Sequence, residues 1–118
     1  MKYADAEDES RLWLAAARLF IEIPYVESLK DRRHIVRSVT DGARSRFAIS
    51  AADLGPADAH KKAVIGFAFC GSSQSELRER MANLEKYLFF REEEGEFEIV
   101  RFSPEVFNYG DISDRQDK

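Results

Sequence analysis

The sequence predicts an α+β domain, and three observations carry that prediction. A period-two strand pattern runs into a basic helical segment; two further strand patterns follow; a second helical segment then leads to a last strand pattern. Such a β-α-β-β-α-β order closes into one antiparallel sheet with both helices on one face. A chain of 118 residues suits one domain with a sizeable core.

The first strand is read over Leu12 to Ile23. Trp13, Ala15, Ala17, Leu19, Ile21 and Ile23 fall on one side, and Leu14, Ala16, Arg18, Phe20 and Glu22 on the other. That alternation marks a strand with one buried face, and Pro24 stops it by removing a backbone donor. Ser28 is an N-cap candidate, with Asp31 three residues on, close to a capping box. The helix from Leu29 to Arg46 places Leu29, Ile35, Val36, Val39 and Ala43 on one stripe. Lys30, Arg33, Arg37 and Arg44 gather in an arc of roughly 60° beside it. Phe47 to Asp53 reads as the second strand, with Phe47, Ile49 and Ala51 inward, and Gly55-Pro56 marks the hairpin that follows.

Ala63 to Cys70 is dense in apolar residues and reads as a central third strand. Ser73 and Glu76 form a capping box for the second helix, whose buried stripe is Leu77, Met81, Leu84 and Leu88. Glu96 to Phe102 is the fourth strand. Topology rules order this sheet 4-1-3-2, the ferredoxin-like arrangement. Residues 12–103 make up this domain, between an acidic N-terminal arm over 1–11 and a polar C-terminal extension over 104–118.

The composition excludes several classes of function. A single cysteine, Cys70, leaves no disulfide framework and fits a reducing compartment. The longest apolar run, Leu12 to Ala17, is too short to span a bilayer and lacks the basic flank of a signal peptide. A cytoplasmic protein with no membrane partner is the simplest expectation. The formal net charge is −4, yet Leu29 to Arg46 holds six cations against two carboxylates, so the rest of the chain carries −8. An acidic whole disfavours indiscriminate nucleic-acid binding, while one helix stays positive.

The segments Arg18-Leu-Phe-Ile-Glu-Ile-Pro24, Ser28-Leu-Lys-Asp-Arg-Arg33, Arg46-Phe-Ala-Ile-Ser-Ala-Ala-Asp53 and Ala63-Val-Ile-Gly-Phe-Ala-Phe69 resemble the YlxP-like family of small bacterial proteins. The resemblance covers about Leu12 to Phe102. Members typically read Lys where Arg32 stands and Glu where Asp53 stands. The resemblance implies a ferredoxin-like fold in a domain of unknown function. Several members are encoded beside translation-initiation and ribosome-maturation factors, which implies a pathway but no mechanism.

Two places compete as the functional site. At the start of the basic helix, Lys30, Arg32 and Arg33 crowd an end that is already positive. With Ser28 and unpaired N–H groups they suit a phosphate, and Arg37 and Arg44 extend the cationic face. The structural alternative is that Glu27, Asp31 and Asp53 neutralise them. Arg32 projects into the apolar stripe, where it needs a partner. The second place is Gly66-Phe-Ala-Phe69, which matches part of the aromatic motif of RNA-recognition modules. Burying Ile65, Phe67 and Phe69 fills the core better than the opposite register. It leaves a face of small residues (Ala16, Ala48, Ser50, Ala52, Gly66 and Ala68) with Phe20 as an anchor, suited to close approach of a second copy.

No nucleophile elbow, phosphate loop or paired carboxylates appear. Asp58 and His60 lack further ligands at metal-binding spacing. The expectation is therefore a protein that is no enzyme and holds no cofactor or metal. It binds RNA or a ribosomal particle through Ser28, Lys30, Arg32, Arg33, Arg37 and Arg44. The alternative is a homodimeric interaction module, paired through the open sheet face or a sheet edge, that never touches nucleic acid.

Overall fold

The computed structural model describes residues 11–110. The elements are β1 (Trp13–Glu22), α1 (Leu29–Phe47), β2 (Ser50–Asp53), β3 (Lys62–Gly71), α2 (Gln74–Glu92) and β4 (Glu98–Asn108). The four strands form one antiparallel sheet in the order β2-β3-β1-β4. This is the expected ferredoxin-like α+β arrangement.

Register decides which side chains meet the helices. Ala17 lies opposite Phe67 and Leu19 opposite Ile65, while Phe102 lies opposite Leu19 and Val106 opposite Ala15. One sheet face therefore carries Ala15, Ala17, Leu19, Ile21, Ile65 and Phe67, all buried. They pack with Val36, Val39 and Ala43 of α1 and Leu77, Met81, Leu84 and Leu88 of α2 in one core. Phe67 is buried, so the strand takes the core register and not the base-stacking one. Phe69 is half-buried beneath the Arg80 guanidinium, 4.6 Å from its ring centroid.

Both helices start as expected. Asp31 N–H donates to Ser28 Oγ at 3.1 Å, and Glu76 N–H donates to Ser73 Oγ at 3.2 Å. The end of α1 differs from the expectation. Phe47 is its last residue, not the first residue of a strand, and meets Tyr87 of α2 edge-on at 5.5 Å. Ala48 closes the helix in the left-handed region (φ 51°), donating its N–H to Arg44 O. It lies outside the sheet, and β2 begins only at Ser50.

The sheet also claims residues assigned above to the C-terminal extension. β4 runs on past Phe102 to Asn108, opposite Trp13, and Tyr109 N–H donates to Leu12 O at 2.9 Å. Pro104 is tolerated because β4 is an edge strand, where alternate N–H groups need no partner. The register shifts between Phe20 and Ile21, which leaves Val100 as an unpaired bulge residue. Residues 1–10 and 111–118, the greater part of the arm and tail, lie outside the described residues.

The helices meet at Gly42. A Cβ there would overlap Tyr87 Oη, which accepts from Arg91 Nη1 at 3.2 Å. Arg91 also donates to Ser38 Oγ of α1 at 3.0 Å. Gly42→Ala gains helix propensity but forces this contact apart, and overpacking of this kind costs about 1–3 kcal/mol. A net loss of stability in urea is expected; a gain would show that Tyr87 moves aside freely.

Candidate nucleic-acid interface

The cations of α1 separate into two groups. Arg32 enters the apolar stripe and is buried, with its side chain 3% exposed. It donates to Asp53 through both terminal nitrogens, Nη1 to Oδ2 at 2.7 Å and Nη2 to Oδ1 at 3.0 Å, and through Nε to Lys62 O at 2.8 Å. Asp53 accepts a further bond from Gly55 N–H at 2.9 Å. The hydrogen bonds from Arg32 hold the Asp53 carboxyl below its usual 3.8, helped by Gly55 N–H and by the Arg32 charge, against the opposing effect of burial. Three of its five N–H donors are spent inside the fold and the side chain is buried, so Arg32 clamps α1 to the β2–β3 hairpin.

Arg44 is also engaged inside the fold. Its Nη1 donates to Asp41 Oδ1 at 3.0 Å and its Nη2 to Ala51 O. This tie stitches the end of α1 to β2, so Arg44 contributes charge and no open fork. Ser28 is half-buried, and its hydroxyl oxygen is occupied by the helix cap.

Lys30, Arg33 and Arg37 remain. All three are exposed, and among the described residues none has an ion-pair or side-chain hydrogen-bond partner in Asp31, Asp41 or Glu27. Spacings of three and four residues align them on one side of the helix. Lys30 and Arg33 lie in or next to its first turn, where the unpaired N–H groups add positive potential, and Arg37 follows one turn on. Arg33 stands on the rim of a groove of about 450 Å³ between the first turn of α1 and loop 54–57, with Leu29 and Pro56 as apolar walls. Arg46, further along, lies over the Tyr87 ring at 5.2 Å and faces α2.

A second cationic group lies on the opposite side of the sheet. Arg18 and Arg101 approach the ring of Phe20, at 5.5 Å and 5.2 Å from its centroid. Arg18 and Phe20 were legible as outward residues of β1. Arg101 was not, because the bulge at Val100 decides which β4 side chains share that face. Next to this group is a groove of about 480 Å³ floored by Ala16, Gly66 and Ala68, with Ser50, Ser103 and Glu105 along it. Leu54 folds over Gly66, where a Cβ would come within 2.9 Å of Leu54 Cδ1.

Among the described residues no helix is long and apolar enough to cross a membrane. The family model described as a protein of unknown function (DUF503) matches residues 14–103. No match was found among curated proteins. The matched span holds the whole of α1, β2, β3 and α2 and the Arg32–Asp53 clamp, so the chain belongs to the DUF503 family of proteins of unknown function.

Proposed function

We propose that this protein acts by binding, not by catalysis, and that it docks the exposed side of α1 onto the phosphate backbone of structured RNA, free or within a ribosomal particle. One observation carries the reading. Arg32 and Arg44 are consumed by the fold, yet Lys30, Arg33 and Arg37 stay exposed with no carboxylate paired to them among the described residues. Local stability gains nothing from three cations in the N-terminal half of a helix, whereas a polyanion gains both the charges and the helix dipole. The acidic balance of the whole chain disfavours indiscriminate attraction of nucleic acid. The resemblance to YlxP-like proteins, with their neighbouring ribosome-maturation genes, supports the same reading, and a cytoplasmic, bacterial setting goes with it.

Binding of this kind is salt-dependent and poor in sequence preference. With a slope of roughly 0.9 per contact, each phosphate contact is worth about eightfold between 1 M and 0.1 M salt. Arg33→Glu/Arg37→Glu is therefore expected to weaken binding of an RNA hairpin at 0.1 M salt by at least about 60-fold, and to flatten the salt slope by about 2. Both residues are exposed, so the thermal unfolding curve of the variant should match that of the original chain. Equal affinity in the variant, or no binding by the original chain at low salt, rejects the proposal.

A further inference from the structure

The open sheet face carries a second arrangement that the helix contact does not use. Ordered along β1 and β4, its middle outward residues form three levels, with Leu14 opposite Phe107 before them and Glu22 opposite Glu98 after them. Ala16 faces Glu105, Arg18 faces Ser103, and Phe20 faces Arg101. Neighbouring levels lie about 6.7 Å apart, two residues of extended chain. The first level sits in the groove beside Ala68, the second lies opposite Gly66, and the third carries the aromatic ring with its two guanidinium groups.

Each level has its own chemistry. Ala16 and Ala68 give the floor so little bulk that a flat ring can lie against the sheet, with Leu54, which covers Gly66, as an apolar wall, and about 480 Å³ is space for one such ring with its sugar. Glu105 offers a carboxylate, and Ser50 and Ser103 offer hydroxyls, at the edge of that floor. A carboxylate repels a phosphate but accepts from the exocyclic amine of a base. Arg18 and Arg101 have no ion-pair or side-chain hydrogen-bond partner among the described residues, so two positive charges share one ring without a counter-ion. The polarity runs from an amine acceptor at the first level to anion acceptors at the second and third, about 6.7 Å and about 13 Å along the strands.

We propose that this face holds unpaired nucleotides of a single-stranded RNA. A base lies in the groove against Ala16 and Ala68, beside Leu54, with its amine toward Glu105, and the phosphates that follow lie on Arg18 and Arg101. The inference rests on the RNA reading above and extends it: the helix grips paired RNA, and the sheet takes an adjoining unpaired strand. A duplex cannot enter, because its bases are not free to reach the floor.

The test measures fluorescence anisotropy of a labelled unpaired ten-nucleotide RNA and, separately, of an RNA hairpin closed by a tight four-nucleotide loop whose stacked bases are not free to enter the groove, with the full chain. Arg18→Gln/Arg101→Gln removes two phosphate contacts. It is expected to weaken the unpaired strand about 25-fold at 0.1 M salt and to reduce the slope by about 1.4, at 0.7 per contact. Hairpin binding should stay unchanged. Ala52→Trp, at an exposed position lining the groove, is expected to weaken the unpaired strand at high salt as well. The proposal is overturned if the original chain fails to bind the unpaired strand, or if both variants bind it as the original does. It is also overturned if sedimentation shows a dimer that Ala52→Trp dissociates, which would make this face a self-association surface. Persistence of hairpin binding in those cases leaves the helix reading intact; loss of hairpin binding alone removes the helix reading.

Discussion

Asp53→Ala is expected to lower the free energy of unfolding by about 3 kcal/mol, measured by urea denaturation at neutral pH. Removing one partner of a buried pair costs about 3–5 kcal/mol because the other charge is left without compensation. The low end applies here, since the Asp53 side chain is 35% exposed while that of Arg32 is 3% exposed. The reverse change, Arg32→Met, strands a carboxylate that water can reach, and should cost less. The double variant removes both charges and places an apolar chain in an apolar stripe, so it should recover more than half of the Asp53→Ala loss. Lys62 O still loses its donor in that variant, which sets a limit on the recovery. A double variant no more stable than Asp53→Ala would mean that the stripe needs the guanidinium for its shape.

The same pair fixes a pH dependence. Asp53 titrates below its usual 3.8 in the folded chain because Arg32 and Gly55 N–H bind its ionised form. A carboxyl with a depressed folded value contributes stability above its unfolded value and loses it as pH falls through the folded value. The stability difference between the original chain and Asp53→Ala should therefore be constant near neutrality and shrink below about pH 3.8. A difference that widens with acid would contradict the assignment.

Phe97→Ala is expected to cost about 3–5 kcal/mol, the range for truncating a fully buried phenylalanine. Phe97 is 1% exposed and among the largest buried side chains of the core. It sits between the Gly95 turn (φ 86°) and the first residue of β4. The backbone around it is fixed by Gly95 N–H donating to Glu92 O at 3.0 Å, and by Ile99 N–H donating to Glu92 Oε2 at 2.6 Å. With both flanks tied, the chain cannot collapse into the space the ring leaves, so the cavity term is retained. Phe97→Leu keeps most of the volume and should cost less than half as much. Midpoints in urea for the two variants give the comparison directly. A loss below about 1 kcal/mol for Phe97→Ala would mean that the end of α2 closes over the gap.

Periodicity made the order of elements legible. Alternation in β1, the stripes Ile35–Val36–Val39–Ala43 and Leu77–Met81–Leu84–Leu88, and the two serine caps stand where the residues put them, whereas Leu29, read into the first stripe, is exposed. Boundaries were harder where local chemistry is ambiguous. Phe47, Ile49 and Ala51 alternate like a strand, but Phe47 is claimed by Tyr87 across the helix pair, and the left-handed turn at Ala48 has no glycine to announce it. Pro104 reads as a breaker in one dimension, whereas only the sheet order shows that its strand is an edge. The site was half legible for a similar reason. A helical projection gathers Lys30, Arg33, Arg37 and Arg44 in one arc but carries no information on reach. Arg44 bends back to Asp41 and Ala51, and Arg32 meets a carboxylate on a strand that the chain visits later.

The pairing of Trp13 with Asn108, closed by Tyr109 N–H on Leu12 O, bears on how binding can be measured. The backbone enters and leaves the sheet at the same corner, whereas α1 starts beyond the far end of β1. A handle attached at Arg11 or Gly110, the first and last described residues, would thus anchor the fold by one end of β1 and leave Lys30 and Arg33 toward the other.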